Sequence, residues 1–182
     1  PDALCEIERG WVEIERLFGR IEYVPAPTAT EPRAVRITNG WHQLTTIQIP
    51  QLQGVSGATS GGITCHKLVA DQVKRLFAAW EKAGLRGRVL SWAGMASIRT
   101  MTGAPDRLSR HSWGVAFDIN YAWNPFGGPA APRGAKGSVA DLLPLALEHF
   151  LEGLRVESEF VGQAVACQGA LPPEDASDAL PE

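Results

Sequence analysis

The stretch LSRHSWGVAFDIN, residues 108–120, decides how this chain is read. Val115, Phe117 and Ile119 recur at every second position, the period of a strand with one apolar face. His111 and Asp118 lie seven positions apart, and along a regular strand such residues point to opposite faces. Gly114 removes that conflict. A bend or bulge at this glycine turns His111 towards the face carrying Asp118, and Gly114 with Ala116 leaves room there for an ion and a substrate backbone. Imidazole nitrogen and carboxylate oxygen are both ordinary zinc ligands, and a catalytic zinc takes three protein ligands with a fourth position open. The stretch supplies two of these. The plain alternative is a partly exposed histidine before a strand and an aspartate that forms a turn.

Working outward, Ile7, Trp11, Ile14, Leu17 and Phe18 predict a first helix stopped at Gly19. Residues 25–32 read as a loop, and AVRIT and LTTIQIP, separated by NGW, as strand, turn, strand. A Gly/Ser-rich loop follows over 53–62. The strongest helix runs from a Thr64 cap through Leu68, Val73, Phe77 and Trp80 to Gly84. RVLSW reads as a buried strand. Beyond the Gly/Pro-rich connection NPFGGPAAPRGAKG, Ser138 and Asp141 resemble a capping box that opens a last helix, with Pro144 set to kink it or loosen its first turns.

The 182 residues suit one domain, and 45% hydrophobic with 20% charged residues is the makeup of a globular chain. A net charge of -3 without a basic run argues against nucleic acid as a partner. No apolar run reaches the length of a membrane span, and no signal-peptide pattern stands at the start. The three cysteines, Cys5, Cys65 and Cys167, have no metal or disulfide spacing and read as small hydrophobes. Composition changes after residue 151: residues 152–182 carry seven acidic residues and one basic, against 13 and 16 before them. The expectation is therefore an α+β domain over 1–151, a small antiparallel sheet packed with helices, followed by an acidic, partly disordered tail over 152–182.

Ser109, His111, Gly114, Ala116 and Asp118 together spell SxHxxGxAxD. This resembles the signature of the zinc D-alanyl-D-alanine carboxypeptidase and L-alanyl-D-glutamate endopeptidase family, enzymes that cut peptidoglycan peptides. FGRIEYVPAP, ITNGWHQL, IPQLQGV, LFAAWEKAGL, LSWAG, FDINYAWNPFG and GSVADLLPLALEH resemble further landmarks of that family, over about residues 11–150. The resemblance implies a Hedgehog/DD-peptidase-like fold and a Zn(2+) cofactor with His111 and Asp118 as ligands. It also implies Arg99 as the cation that steadies an oxyanion or holds a substrate carboxylate, and Ser109 as an orienting hydrogen-bonding residue. Peptidoglycan peptides would be the partners, and the cell wall, periplasm or exterior the location.

The chain departs from that family in specific places. A second arginine expected shortly after Arg99 is replaced by Thr102. The family's closing DxMHFE-like segment, which supplies the third zinc ligand and the general base, has no counterpart: no histidine follows His149, which aligns with a non-ligand position, and position 146 is Ala. His149 is retained as the candidate third ligand, ahead of His42 and His66, which read as structural. Glu157 and Glu159 could offer a carboxylate ligand or base. Three functional expectations follow: a zinc peptidase, an inactive relative that binds cell-wall peptides, or the product of a frameshifted or truncated peptidase gene.

Overall fold

The computed structural model describes residues 3–153, with side chains described over 11–149. The acidic tail beyond Gly153, with Glu157, Glu159 and Cys167, lies outside the described residues.

Helix α1 (Ala3–Phe18) places Ile14 and Phe18 in the core and ends at Gly19, whose φ of 86° suits the left-handed stop of a helix. Two tryptophans satisfy carbonyls left over at this end: Trp41 Nε1 donates to Phe18 O at 2.9 Å and Trp113 Nε1 to Gly19 O at 2.7 Å. Sequence-distant segments are thereby tied to the same helix end, and one of them is the segment that carries His111.

Eight short strands follow in the described residues: β1 (Tyr23–Pro25), β2 (Val35–Ile37), β3 (Leu44–Gln48), β4 (Gly62–His66), β5 (Trp92–Gly94), β6 (Thr100–Met101), β7 (Ala104–Leu108) and β8 (Asp118–Ile119). They form four separate antiparallel pairs, β1 with β2, β3 with β4, β5 with β8 and β6 with β7, in place of the single small sheet expected. The NGW turn accordingly joins two ladders and does not close a hairpin. Trp41 explains this, because its indole is drawn back to the end of α1 and turns the chain away from β2.

Helix α2 (Ala70–Lys82) begins six residues after Thr64. Thr64 is not its cap. Ile63 and Cys65 of β4 are buried, so Thr64 between them points outward, where its hydroxyl meets that of Thr46 across the ladder. The capping role falls to His66, whose Nδ1 accepts from Leu68 N at 3.1 Å over the tight turn Lys67–Val69 that leads into α2. RVLSW is mostly irregular: a tight turn ends at Arg88, Ser91 makes an isolated bridge with Ser56, and the strand begins only at Trp92. The last helix, α3 (Leu143–Gly153), starts later than the expected capping box. Ser138 is buried and bonds Ala140 N, and Asp141 pairs with Arg88 and Arg133. Pro144 then falls in the first turn, where a missing N–H breaks no helical bond and no kink is required.

The core lies between α2 and the strands, with Val73, Leu76, Phe77 and Trp80 on the buried face of the helix. Phe77 meets Trp80 edge-on at 5.0 Å, and Trp92 stacks on Phe117 at 5.4 Å between ring centroids. Burying each large side chain stabilises the fold by roughly 1.5–3 kcal/mol. Trp80 Nε1 also donates to Leu142 O at 3.0 Å, joining α2 to the start of α3. The architecture is a small α+β fold. Among the described residues no helix is long and apolar enough to cross a membrane.

Candidate metal centre

His111 does not sit on a strand. Residues Arg110–Trp113 form one tight turn, capped by Ser109, whose side chain accepts from His111 N at 3.4 Å and whose carbonyl accepts from Ser112 N at 2.8 Å. Gly114 ends the turn in the left-handed region with φ 66°. Its carbonyl accepts from His66 N at 2.9 Å, locking the bend onto the end of β4. The glycine is also required by space: a Cβ here would stand 2.7 Å from Leu44 Cδ2 and 2.8 Å from His66 N. The expected bend therefore exists, as a turn reversed at Gly114 with only Asp118 and Ile119 extended beyond it.

The bend brings His111 and Asp118 together, with His111 Nε2 3.3 Å from Asp118 Oδ2 and the two side chains only 13% and 21% exposed. The other ring nitrogen, Nδ1, lies 3.2 Å from the carbonyl of Met95. A carbonyl can only accept, so this contact calls for a proton on Nδ1, and Nε2 is the nitrogen that faces the carboxylate. Two acceptors held face to face repel unless a proton or a metal ion lies between them. With Zn–N and Zn–O bonds of about 2.0–2.2 Å, the N-to-O edge of a zinc tetrahedron is about 3.4 Å. The observed separation fits that edge, and the anchored Nδ1–H is the usual outer support of a ligating histidine.

One strand aligns both groups. Gly94 of β5 is the ladder partner of Asp118, and the next residue, Met95, carries the carbonyl that holds the His111 ring. Ser97 N donates to His111 O at 2.9 Å, which fastens the same segment to the turn.

Arg99 continues this segment. Its main-chain N–H donates to Ser112 Oγ at 3.1 Å, and its Nε donates to Ser97 Oγ at 3.2 Å. The guanidinium lies 3.8 Å from Glu31, which Arg33 also engages at 3.2 Å. The Glu31 carboxyl is held below the usual range first by the Arg33 main-chain N–H and then by the charges of Arg33 and Arg99. Arg33 Nη1 donates in turn to the hydroxyl of Thr102. Arg99 is thus an ion-paired side chain beside the turn, with its guanidinium shared with a carboxylate of the β1–β2 connection. Nothing in the spacing of Glu31 and Arg99 signals that pairing.

No third histidine, cysteine or acid joins His111 and Asp118 in a cluster among the described residues. His149 lies on α3, where its carbonyl accepts from the buried Gln72 side chain at 2.8 Å. His42 is exposed, with Nδ1 against Gly40 O. His66 is buried at 1% exposure between Phe18 and Trp41, and burial pushes its pKa down. Its Nδ1 is spent on the cap, which leaves Nε2 as the protonated nitrogen, buried towards the Phe18 main chain. Comparison of the chain with protein-family models, with curated proteins and with solved structures gives no match.

Proposed function

We propose that this chain is a zinc-dependent peptidase of the D-alanyl-D-alanine carboxypeptidase and L-alanyl-D-glutamate endopeptidase kind, built on a Hedgehog/DD-peptidase-like fold and directed at peptidoglycan stem peptides. The observation that carries the reading is the His111–Asp118 pair. A ring nitrogen and a carboxylate oxygen 3.3 Å apart, the ring anchored through its far nitrogen to Met95 O, match one edge of a zinc site. The SxHxxGxAxD pattern supports the same assignment. Bound zinc would polarise the scissile carbonyl and supply an activated water. His111 and Asp118 would hold the ion, Ser109 would keep the His111 turn closed, and Arg99 would present positive charge to substrate oxygen.

A second reading is a relative that binds cell-wall peptides without cleaving them. One observation favours it: Arg99 shares its charge with Glu31, which competes with any substrate oxygen for the guanidinium. Zinc content of the full chain after dialysis at neutral pH, followed by digestion of peptidoglycan fragments, tests both. About one zinc per chain, lost in His111→Ala, together with a cleaved stem peptide, is the result expected of the peptidase. Absence of retained zinc removes the peptidase reading. Zinc-independent binding of fragments without cleavage establishes the second.

A further inference from the structure

Asn120 stands two residues beyond Asp118 and has no exposed surface. It is also the one non-glycine residue with a positive φ among the described residues, at 54°. Its side-chain amide is bonded at both ends. Oδ1 accepts from Leu90 N at 2.8 Å and from Ser91 N at 3.2 Å, while Nδ2 donates to Arg88 O at 2.7 Å and to Gly137 O at 3.0 Å. Two donors face the oxygen and two carbonyls face the nitrogen, so the reversed amide would turn four attractive contacts into four repulsive ones. The Asn120 main-chain N–H adds a bond to Ser91 O at 3.1 Å.

Apart from the bond to Gly137, these bonds converge on one end of a ladder, where the start of β5 meets the end of β8. Arg88, Leu90 and Ser91 lead directly into β5, and Asn120 directly follows β8. The ladder they close is very short, pairing only Trp92 with Ile119 and Gly94 with Asp118 across an irregular step. Beyond it, Met95 holds the His111 ring. A ladder this short cannot fix its own register, because a slip of one residue is opposed by few hydrogen bonds. We infer that Asn120 is a positioning residue, a buried amide clamp that sets the register of β5 against β8 and so holds Asp118 and the Met95-anchored His111 ring at their separation. Its link to metal binding rests on the function proposed above, whereas its effect on the His111 ring does not.

The test uses the full metal-free chain. Asn120→Gly keeps the left-handed backbone accessible and removes the amide clamp. Asn120→Asp keeps the shape and the bonds from Leu90 and Ser91 but sets an acceptor against two carbonyls, and it serves if the glycine variant does not fold. Asn124→Ala is the control, because Asn124 braces Gly137, Ala131 and the Asn120 carbonyl without touching the segment before β5. Near-ultraviolet circular dichroism reports folding, and the nitrogen-15 shifts of the His111 ring report its tautomer. The wild-type ring is expected to keep a proton on Nδ1, towards Met95 O. The folded Asn120 variants are expected to show a mixture of tautomers, and the Asn124 variant the wild-type signals. Unchanged His111 signals in a folded Asn120 variant overturn the inference, as does an equal disturbance in Asn124→Ala. Cobalt(II) titration then reads the coupling to metal: a loss of about 10–100-fold is expected for Asn120→Gly, the size seen when support behind a metal ligand is removed. A wild-type chain that takes no cobalt refutes the proposed function, while the ring shifts still decide the role of Asn120.

Discussion

Replacing Gly114 by alanine isolates the feature that brings the His–Asp pair together. The perturbation has three parts. An alanine at φ 66° costs roughly 1–2 kcal/mol for its left-handed backbone. The new Cβ would meet Leu44 Cδ2 at 2.7 Å, which can rotate away, and His66 N at 2.8 Å, which is main chain in a paired strand and cannot. Relief requires the bend to back away from β4. That motion stretches the 2.9 Å bond from His66 N to Gly114 O, and losing a buried hydrogen bond costs about 1–3 kcal/mol. Together these predict about 2–5 kcal/mol of destabilisation. Gly84→Ala provides the reference, because Gly84 has φ 72° and no atom near its would-be Cβ, so only the same roughly 1–2 kcal/mol of left-handed backbone cost applies. Urea denaturation of both variants, with slopes compared to confirm the same extent of unfolding, measures the difference. A Gly114→Ala loss equal to that of Gly84→Ala would show that the close approach to β4 does not constrain the bend, and contact with β4 would no longer explain how His111 reaches Asp118.

Two other groups give independent checks. Because burial lowers the His66 pKa below its usual value of 6.5, the unfolded chain binds this proton more readily than the folded one. The stabilising contribution is fully present above about pH 6.5 and is lost as pH falls below it towards the folded value, so unfolding free energy should decline over that window. His66→Asn, which can still accept from Leu68 N, should lower stability but flatten the decline, and an undiminished slope in that variant would assign the acid sensitivity elsewhere. Cys65 has no exposed surface and its thiol is pushed up to about 11, chiefly by burial. In a Cys5→Ser, Cys167→Ser background it should resist a thiol reagent at pH 8 until the chain unfolds, and rapid labelling of the native protein would contradict its burial in β4.

Features written in local periodicity were legible in the sequence. The apolar spacing marks real buried faces at Ile14 and Phe18 of α1 and at Val73, Phe77 and Trp80 of α2, though Leu68 falls exposed in the turn before α2, and Gly19 ends its helix as expected. What failed were readings in which a local signal competes with a distant partner. Thr64 has the chemistry of a helix cap, but pairing of β4 with β3 claims it for a strand, and the cap passes to His66. AVRIT and LTTIQIP have the alternation of a hairpin, but a tryptophan contact with α1 sends them to different ladders. The meeting of His111 with Asp118 was legible because a parity argument along one short segment suffices for it. The Met95 carbonyl, the Glu31 partner of Arg99 and the Asn120 clamp were not, since main-chain acceptors carry no residue signature and the acid and amide bonds cross long stretches of chain.

The candidate centre is held from two sides. The His111 arm is held by the Ser109 cap, by the indole of Trp113 on Gly19 O and by Gly114 O against β4. The Asp118 arm is held by a short ladder and the Asn120 amide. Both arms are referenced to adjacent residues, Gly94 and Met95, so an error in placing that strand moves the carboxylate and the imidazole together and changes their separation little. On the proposed reading, an edge fixed in this way would need no reorganisation to take a cation, which would spare the ordering entropy that a pair of free side chains must lose. On that reading the affinity of the centre would depend mainly on what further donors meet that edge, and loss of either support should change the His111–Asp118 distance.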